Sequence, residues 1–365
     1  MLFPPRKLEN LKHYVYSSQD DSFLVAMGIG HYHRFVLGFF PTWVAPNLIT
    51  LTGFLAMLVP VACILLKDPN FRGNQRVALL SGLVIWFYST MDCIDGMQAR
   101  RTGSGSVLGQ LFDHGVDSLV STLVVLCLSS GVAIGDRRIV AMGMIMVHSV
   151  FYWATMNEFY TGVLYLGVVG PTELLLGCSL LLVGCYFLGH WAKLTLKQGR
   201  VPNMALLSLF VAWTGVLLYN IVVTSRTCAG LAKERFSSFL LGAVVSNGAF
   251  VMFQASIMYT LYWSSDLGGN VLFYGYILLC TVTFSLFSIL TIYSHQLGDT
   301  HPEVPVVLPV LVFLVSVLLA RPSSKRSSFV VVSLVLTGVL NYIYHINTII
   351  TEICATMGIS CFRIE

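Results

Sequence analysis

The chain alternates long apolar runs with short polar links, and the runs share one characteristic length. Crossing a hydrocarbon core takes about 20 mostly apolar residues in a helix. About ten runs of that size occur, at 47–67, 77–97, 107–135, 139–156, 174–194, 204–224, 238–262, 269–293, 304–320 and 329–350. The links between them, among them DPNFRGNQR, RRTGSGS, KLTLKQGRVPN and RPSSKRSS, are too short to be domains. This pattern predicts an all-α, polytopic integral membrane protein with about ten transmembrane helices. Residues 1–46 differ, mixing Arg6, Lys7, Lys12 and Arg34 with Leu8, Leu11, Tyr14, Phe35, Phe39, Phe40 and Trp43. Such a mixture suits a helix lying in the membrane interface, with a plain juxtamembrane connector as the competing reading.

Composition sharpens this picture. Only 10% of the 365 residues are charged and the mean hydropathy is +0.78, whereas soluble domains carry about a quarter charged residues. The net charge of +4 is scattered between apolar runs, so no basic stripe for nucleic acid exists and no nucleic-acid partner is expected. Lys and Arg divide nearly equally between the two sides, so charge does not fix the topology. The nine cysteines lie mostly inside apolar runs without CxxC pairs and read as small buried hydrophobes. The first residues, MLFPPRKLENLKHYVYSSQDDS, are polar where a secretory signal is apolar, so no cleaved targeting peptide is expected.

Against this background, four acids inside the second and third runs need a reason, since each costs about 2–3 kcal/mol or more at membrane depth. Asp92 and Asp95 are three apart, Asp113 and Asp117 four apart, so each pair lines one helix face. Two helices thus present four carboxylates to each other. Without a cation they repel, and oxygen-only ligands favour a hard divalent ion, Mg²⁺ or Mn²⁺, whose shell is completed by water and phosphate. Gly96, Ala99, Gly103, Gly105 and Gly109 leave room for a bulky diphosphate, or serve tight helix packing. Arg100 offers a fork-shaped phosphate partner. The competing reading of the acids is a structural ion-pair network with Arg100 and Arg101.

From Asp92 to Asp117 the chain reads D-x2-D-G-x2-A-R-x8-G-x3-D-x3-D. Asp92, Asp95, Gly96, Ala99, Arg100, Gly109, Asp113 and Asp117 fill all eight fixed places of the motif, which resembles the signature of the CDP-alcohol phosphotransferases. The resemblance implies an active site of six helices holding two metal ions, with the CDP diphosphate on the metals. YVYSSQDDS and WVAPNLITLTG are similar to segments of the eukaryotic choline and ethanolamine branch. That branch joins diacylglycerol to CDP-choline or CDP-ethanolamine, releasing CMP, on endoplasmic-reticulum or Golgi membranes.

An acceptor hydroxyl needs a base, and His114, directly after Asp113, is the candidate; the resembling branch uses a histidine at this place. Rival readings make His114 a metal ligand or a hydrogen-bond donor to one, or make Asp117 the base. Glu173, in GVVGPTELL, is a candidate to orient His114, or an interfacial acid facing water. Asn47 and Gln110 are candidates for the nucleotide, or else caps and helix glue. Aromatic residues are abundant throughout and do not separate choline from ethanolamine.

The expected division is an interfacial, cytosolic segment at 1–46, a catalytic domain of about six helices at 47–224, and about four helices at 225–365 serving dimerisation or lipid access. Expected partners are the CDP-alcohol, diacylglycerol, membrane lipid and a second copy in a homodimer, with the active site facing the cytosol. Two alternatives stay open: a CDP-diacylglycerol-dependent phosphatidyltransferase of the same family, and a cation-coupled membrane transporter.

Overall fold

The computed structural model describes residues 4–166, 170–188, 236–263, 269–320 and 325–364. The run predicted at 204–224 lies outside them. The N-terminal segment is built of short pieces: α1 (Pro5–Leu8), a 3-10 turn (Glu9–Lys12), β1 (Ser18–Asp20), α2 (Phe23–Ala26) and α3 (Gly30–Leu37). Gly28, at φ +88°, sits between α2 and α3 in a conformation that no side chain favours. Phe35, Phe39 and Trp43 are exposed.

The long helices follow: α4 (Pro46–Lys67), α5 (Gln75–Thr102), α6 (Val107–Gly131), α7 (Arg137–Thr161), α8 (Pro171–Leu188), α9 (Phe236–Trp263), α10 (Gly269–Gln296), α11 (Val307–Leu319) and α12 (Lys325–Met357), with β2 (Leu164–Leu166) between α7 and α8. Among the described residues, seven helices are long and apolar enough to cross a membrane: α4 to α8, α10, and Ser328–Met357 within α12. The chain is a polytopic integral membrane protein. The run expected at 304–320 forms only the 13 residues of α11. Pro302 and Pro305 precede it, and proline holds the residue before it extended and delays the helix start.

Contacts group the chain into two compact units. One comprises Val15–Asp136, Val163–Arg200 and Ile353–Glu365. In it α5 packs against α4 and α8, and α6 against α4 and α5. Helix ends are set by local chemistry. Asn74 caps α5 by accepting from the N–H groups of Arg76 and Val77, and Gly103, at φ +66°, ends it in the left-handed turn. Ser106 then caps α6 by accepting from Gly109 N at 3.0 Å. Near the other end of α5, the Ser179 hydroxyl of α8 donates to the Gly82 carbonyl at 2.8 Å. A Cβ on Gly82 would lie 2.9 Å from the Ser179 carbonyl oxygen, so only glycine admits this close crossing. Beyond α4, the buried Asp68 carboxylate accepts from Arg72 N (2.7 Å), Gly73 N (3.1 Å) and the Ser130 hydroxyl (2.6 Å).

The second unit comprises Met1–Tyr14, Arg137–Gly162 and Val201–Glu352. Its centre is α10, most of whose side chains are buried. Thr281, Thr283 and Thr291 turn their hydroxyls back to carbonyls one turn earlier, which satisfies them without a partner helix. The Tyr276 hydroxyl lies between those of Thr260 (3.1 Å) and Ser316 (2.9 Å). His148 of α7 stacks on Phe284 with ring centroids 3.9 Å apart. Lys7 pairs with Asp299 at 2.5 Å and the Asn10 amide donates to the Leu297 carbonyl at 2.7 Å, tying the first residues to the end of α10.

Candidate active site

The turn between α5 and α6 lays the two helices side by side and turns their acids toward one another. One oxygen each from Asp92, Asp113 and Asp117 lies within 4.8 Å of the other two. The Asp92 carboxyl is in hydrogen-bond contact with both Asp113 and Asp117, a contact favourable only with a shared proton or an intervening cation. Asp113 Oδ1 is buried and has no hydrogen-bond partner among the described residues. Three half-buried carboxylates, one with an orphaned oxygen, fit a hard divalent cation.

Asp95 stands outside this trio. It is buried on α5 and accepts a hydrogen bond from the Thr50 hydroxyl of α4. Asp117 accepts one from the buried Tyr88 hydroxyl. Among the described residues no ion pair joins an arginine to the four acids. Arg101 donates instead to the carbonyls of Leu37 (3.3 Å) and Phe40 (3.0 Å), which argues against the ion-pair network. Arg100 is exposed and folds back along α5, its Nη1 lying 3.5 Å from where a Cβ on Gly96 would stand.

His114 lies half-buried on α6 beside Asp113, and the Tyr16 ring meets its imidazole edge to face, centroids 6.1 Å apart at 75°. Glu173, in the first turn of α8, faces backbone donors. Its Oε1 accepts from Leu24 N at 2.8 Å and its Oε2 from Gly170 N at 2.9 Å, and no described hydrogen bond links it to His114. Asn47, at the start of α4, donates to the Cys361 carbonyl at 2.8 Å, and its Oδ1 lies 3.8 Å from where a Cβ on Gly109 would stand. Phe362 packs edge to face on Phe112 at 5.7 Å. The chain after α12 thus joins this end of α4 and α6, and burial raises the Cys361 thiol above its ordinary pKa. Gln110 is buried on α6, and Ala99 half-buried on α5, its carbonyl capped by the N–H groups of Gly103 and Ser104.

Sequence reasoning missed Thr50, Tyr88, Tyr16 and the segment at Cys361. Thr50 and Tyr88 carried a usable signal, lying one helical turn from Asn47 and Asp92 respectively. Gln98 was also missed; fully buried, it braces the approach to α4 by donating to the carbonyls of Pro41 and Val44, each at 2.9 Å.

The converging carboxylates lie on membrane-crossing helices, and comparison with known proteins makes the chain an integral-membrane enzyme, a transferase. The chain belongs to the CDP-alcohol phosphatidyltransferase family, whose profile matches residues 43–221. It is 37% identical to "Uncharacterized CDP-alcohol phosphatidyltransferase class-I family protein 3" of Dictyostelium discoideum, over 62% of this chain and 57% of that protein. It is 29% identical to Cholinephosphotransferase 1 of Saccharomyces cerevisiae, over 99% of this chain and 98% of that protein. It is 37% identical to CDP-diacylglycerol–serine O-phosphatidyltransferase of Encephalitozoon cuniculi, over 47% of this chain and 46% of that protein. The chain therefore spans somewhat over half of the first relative and nearly all of the second. Membership in a transferase family removes the transporter alternative.

Proposed function

We propose that this protein transfers phosphocholine, phosphoethanolamine or both from the CDP-alcohol to diacylglycerol, forming phosphatidylcholine or phosphatidylethanolamine and releasing CMP. The observation that carries this reading is the trio Asp92, Asp113 and Asp117 with one oxygen each inside 4.8 Å. In our reading these three, with Asp95 at their edge, hold two divalent ions, Mg²⁺ or Mn²⁺. Such ions, when bound, neutralise the charge of a diphosphate and of its leaving phosphate.

The remaining roles fall to side chains. His114 accepts the proton of the acceptor hydroxyl as its oxygen bonds to the phosphorus of the phospho-alcohol, and the bond from that phosphorus to the CMP oxygen breaks. Arg100 supplies a planar donor for the departing CMP. Gly96, Ala99 and Gly109 keep the diphosphate's approach open, and Asn47 and Gln110 serve the nucleotide. Tyr88 and Thr50 donate to Asp117 and Asp95 and so fix carboxylate orientation.

We assign the catalytic domain to 47–224, the interfacial segment to 1–46, and dimerisation or lipid access to 225–365. The protein is placed in endoplasmic-reticulum or Golgi membranes with its site toward the cytosol, as a homodimer. Full-length similarity to a cholinephosphotransferase supports the choline and ethanolamine branch. The match to a CDP-diacylglycerol-dependent relative favours a second reading, phosphatidyl transfer to a small hydroxyl compound.

The test supplies purified protein with radiolabelled CDP-choline or CDP-ethanolamine and diacylglycerol, with and without a chelator. We expect labelled lipid, CMP release, and loss of both on chelation with recovery on adding Mg²⁺ or Mn²⁺. Labelled lipid from CDP-diacylglycerol and serine, with none from either CDP-alcohol, would establish the second reading. Full activity after exhaustive chelation would overturn the metal assignment.

A further inference from the structure

The N-terminal residues 16–24 form a strap with three fastenings, all within the unit that holds the acids. The first is a short parallel pairing in which Ser18 faces Leu164, Gln19 faces Tyr165 and Asp20 faces Leu166. It is extended by Leu164 N to Ser17 O at 3.0 Å and Asp21 N to Leu166 O at 3.1 Å. The second is Glu173 in the first turn of α8, which accepts from Leu24 N, Gly170 N and the buried Ser22 hydroxyl. The third is Tyr16 itself, set edge to face on His114.

This arrangement gives an acid in an apolar helix a task other than touching the reacting groups. A carboxylate accepting backbone N–H bonds is a strong anchor, and here it ends the strap two residues after the buried Ser22. A two-stranded pairing alone is marginal. The clip and the pairing together hold Tyr16 where its ring meets an imidazole that must keep one orientation to accept a proton.

We propose that Tyr16 is a positioning residue for His114, and that Glu173 acts on the reaction at a distance, by clipping the strap that carries Tyr16. The inference rests on His114 being the base. An edge-to-face contact restricts imidazole rotation, and misplacement of a reacting group by about 1 Å costs up to about 100-fold in rate. Loss of the ring should therefore reduce turnover while leaving CDP-alcohol binding to the acids.

The experiment uses the full-length protein in detergent, with Tyr16→Ala, Tyr16→Phe, Glu173→Ala, the double Tyr16→Ala/Glu173→Ala, and His114→Ala. We expect Tyr16→Ala and Glu173→Ala each to lower kcat by about 10-fold or more with KM for the CDP-alcohol within about threefold. Tyr16→Phe, which keeps the ring, should recover most of that loss. Because Glu173 acts through Tyr16, the double variant should be no slower than the slower single. Hydrogen exchange at residues 18–24 should quicken in Glu173→Ala, a readout independent of turnover. Undiminished kcat in Tyr16→Ala overturns the proposal, as does a multiplicative loss in the double variant, which would place Glu173 directly on the site. If Tyr16→Ala folds poorly, Tyr16→Leu preserves bulk without the ring and carries the same prediction. Turnover surviving His114→Ala would instead remove the base assignment beneath both readings.

Discussion

Among the aspartates along α4, α5 and α6, Asp68 and the trio Asp92, Asp113 and Asp117 occupy opposite settings. Asp68, after the C-terminus of α4, is enclosed by two backbone N–H groups and the Ser130 hydroxyl. Its charge is fully used in closing a turn. Asp92, Asp113 and Asp117, in the half of α5 and α6 nearest their shared turn, face one another, and Asp113 keeps an oxygen without a partner among the described residues. The first arrangement is complete with protein alone, whereas the second calls for something the protein does not supply. Burial of an acid therefore does not mark a site; what marks it is a set of acids that cannot satisfy one another.

The sharpest way to break this comparison is to neutralise one acid in each setting. Asp113→Asn should lower turnover on the order of 1000-fold or more, while leaving the melting temperature in chelator unchanged or higher, because a repulsive charge is gone. A lower melting temperature with turnover preserved would assign Asp113 the same structural task as Asp68. His114→Ala should cost about 100- to 10,000-fold in turnover with CDP-alcohol affinity retained within a few fold, measured by calorimetry. Matching losses of both would make His114 a ligand and not a base. Tyr88→Phe removes the donor to Asp117 and should weaken Mg²⁺ or Mn²⁺ affinity by about 10- to 100-fold, read from the metal dependence of nucleotide binding. Asp68→Asn gives the smallest effect on chemistry and the inverse signature: turnover per folded molecule within about twofold, with stability reduced by about 1–3 kcal/mol as charged hydrogen bonds are lost.

The membrane architecture was legible because hydrocarbon imposes a length on every crossing, and the acid pairs because helical spacing puts Asp92 with Asp95 and Asp113 with Asp117 on common faces. Spacing could not separate Asp95 from the trio, since that depends on Thr50 arriving from α4. Nor could it show that Glu173 accepts from the backbone N–H groups of Leu24 and Gly170, partners that no side-chain pattern displays. Tyr16 and Cys361 reach the site only through the strap and through the chain after α12, at separations from His114 and Asn47 too long for any periodicity to register. The expected span at 304–320 was shortened by prolines whose effect on a helix start outweighs hydropathy.

Gly103 and Ser106 confine the link between α5 and α6 to a few residues, so the whole trio is encoded between positions 92 and 117. Consecutive segments meet early, at little cost in loop entropy. As the nascent polypeptide is threaded into the bilayer, these carboxylates can therefore find one another before the later helices are synthesised. The cost of each acid at membrane depth is thus offset by its neighbours as soon as α6 follows α5.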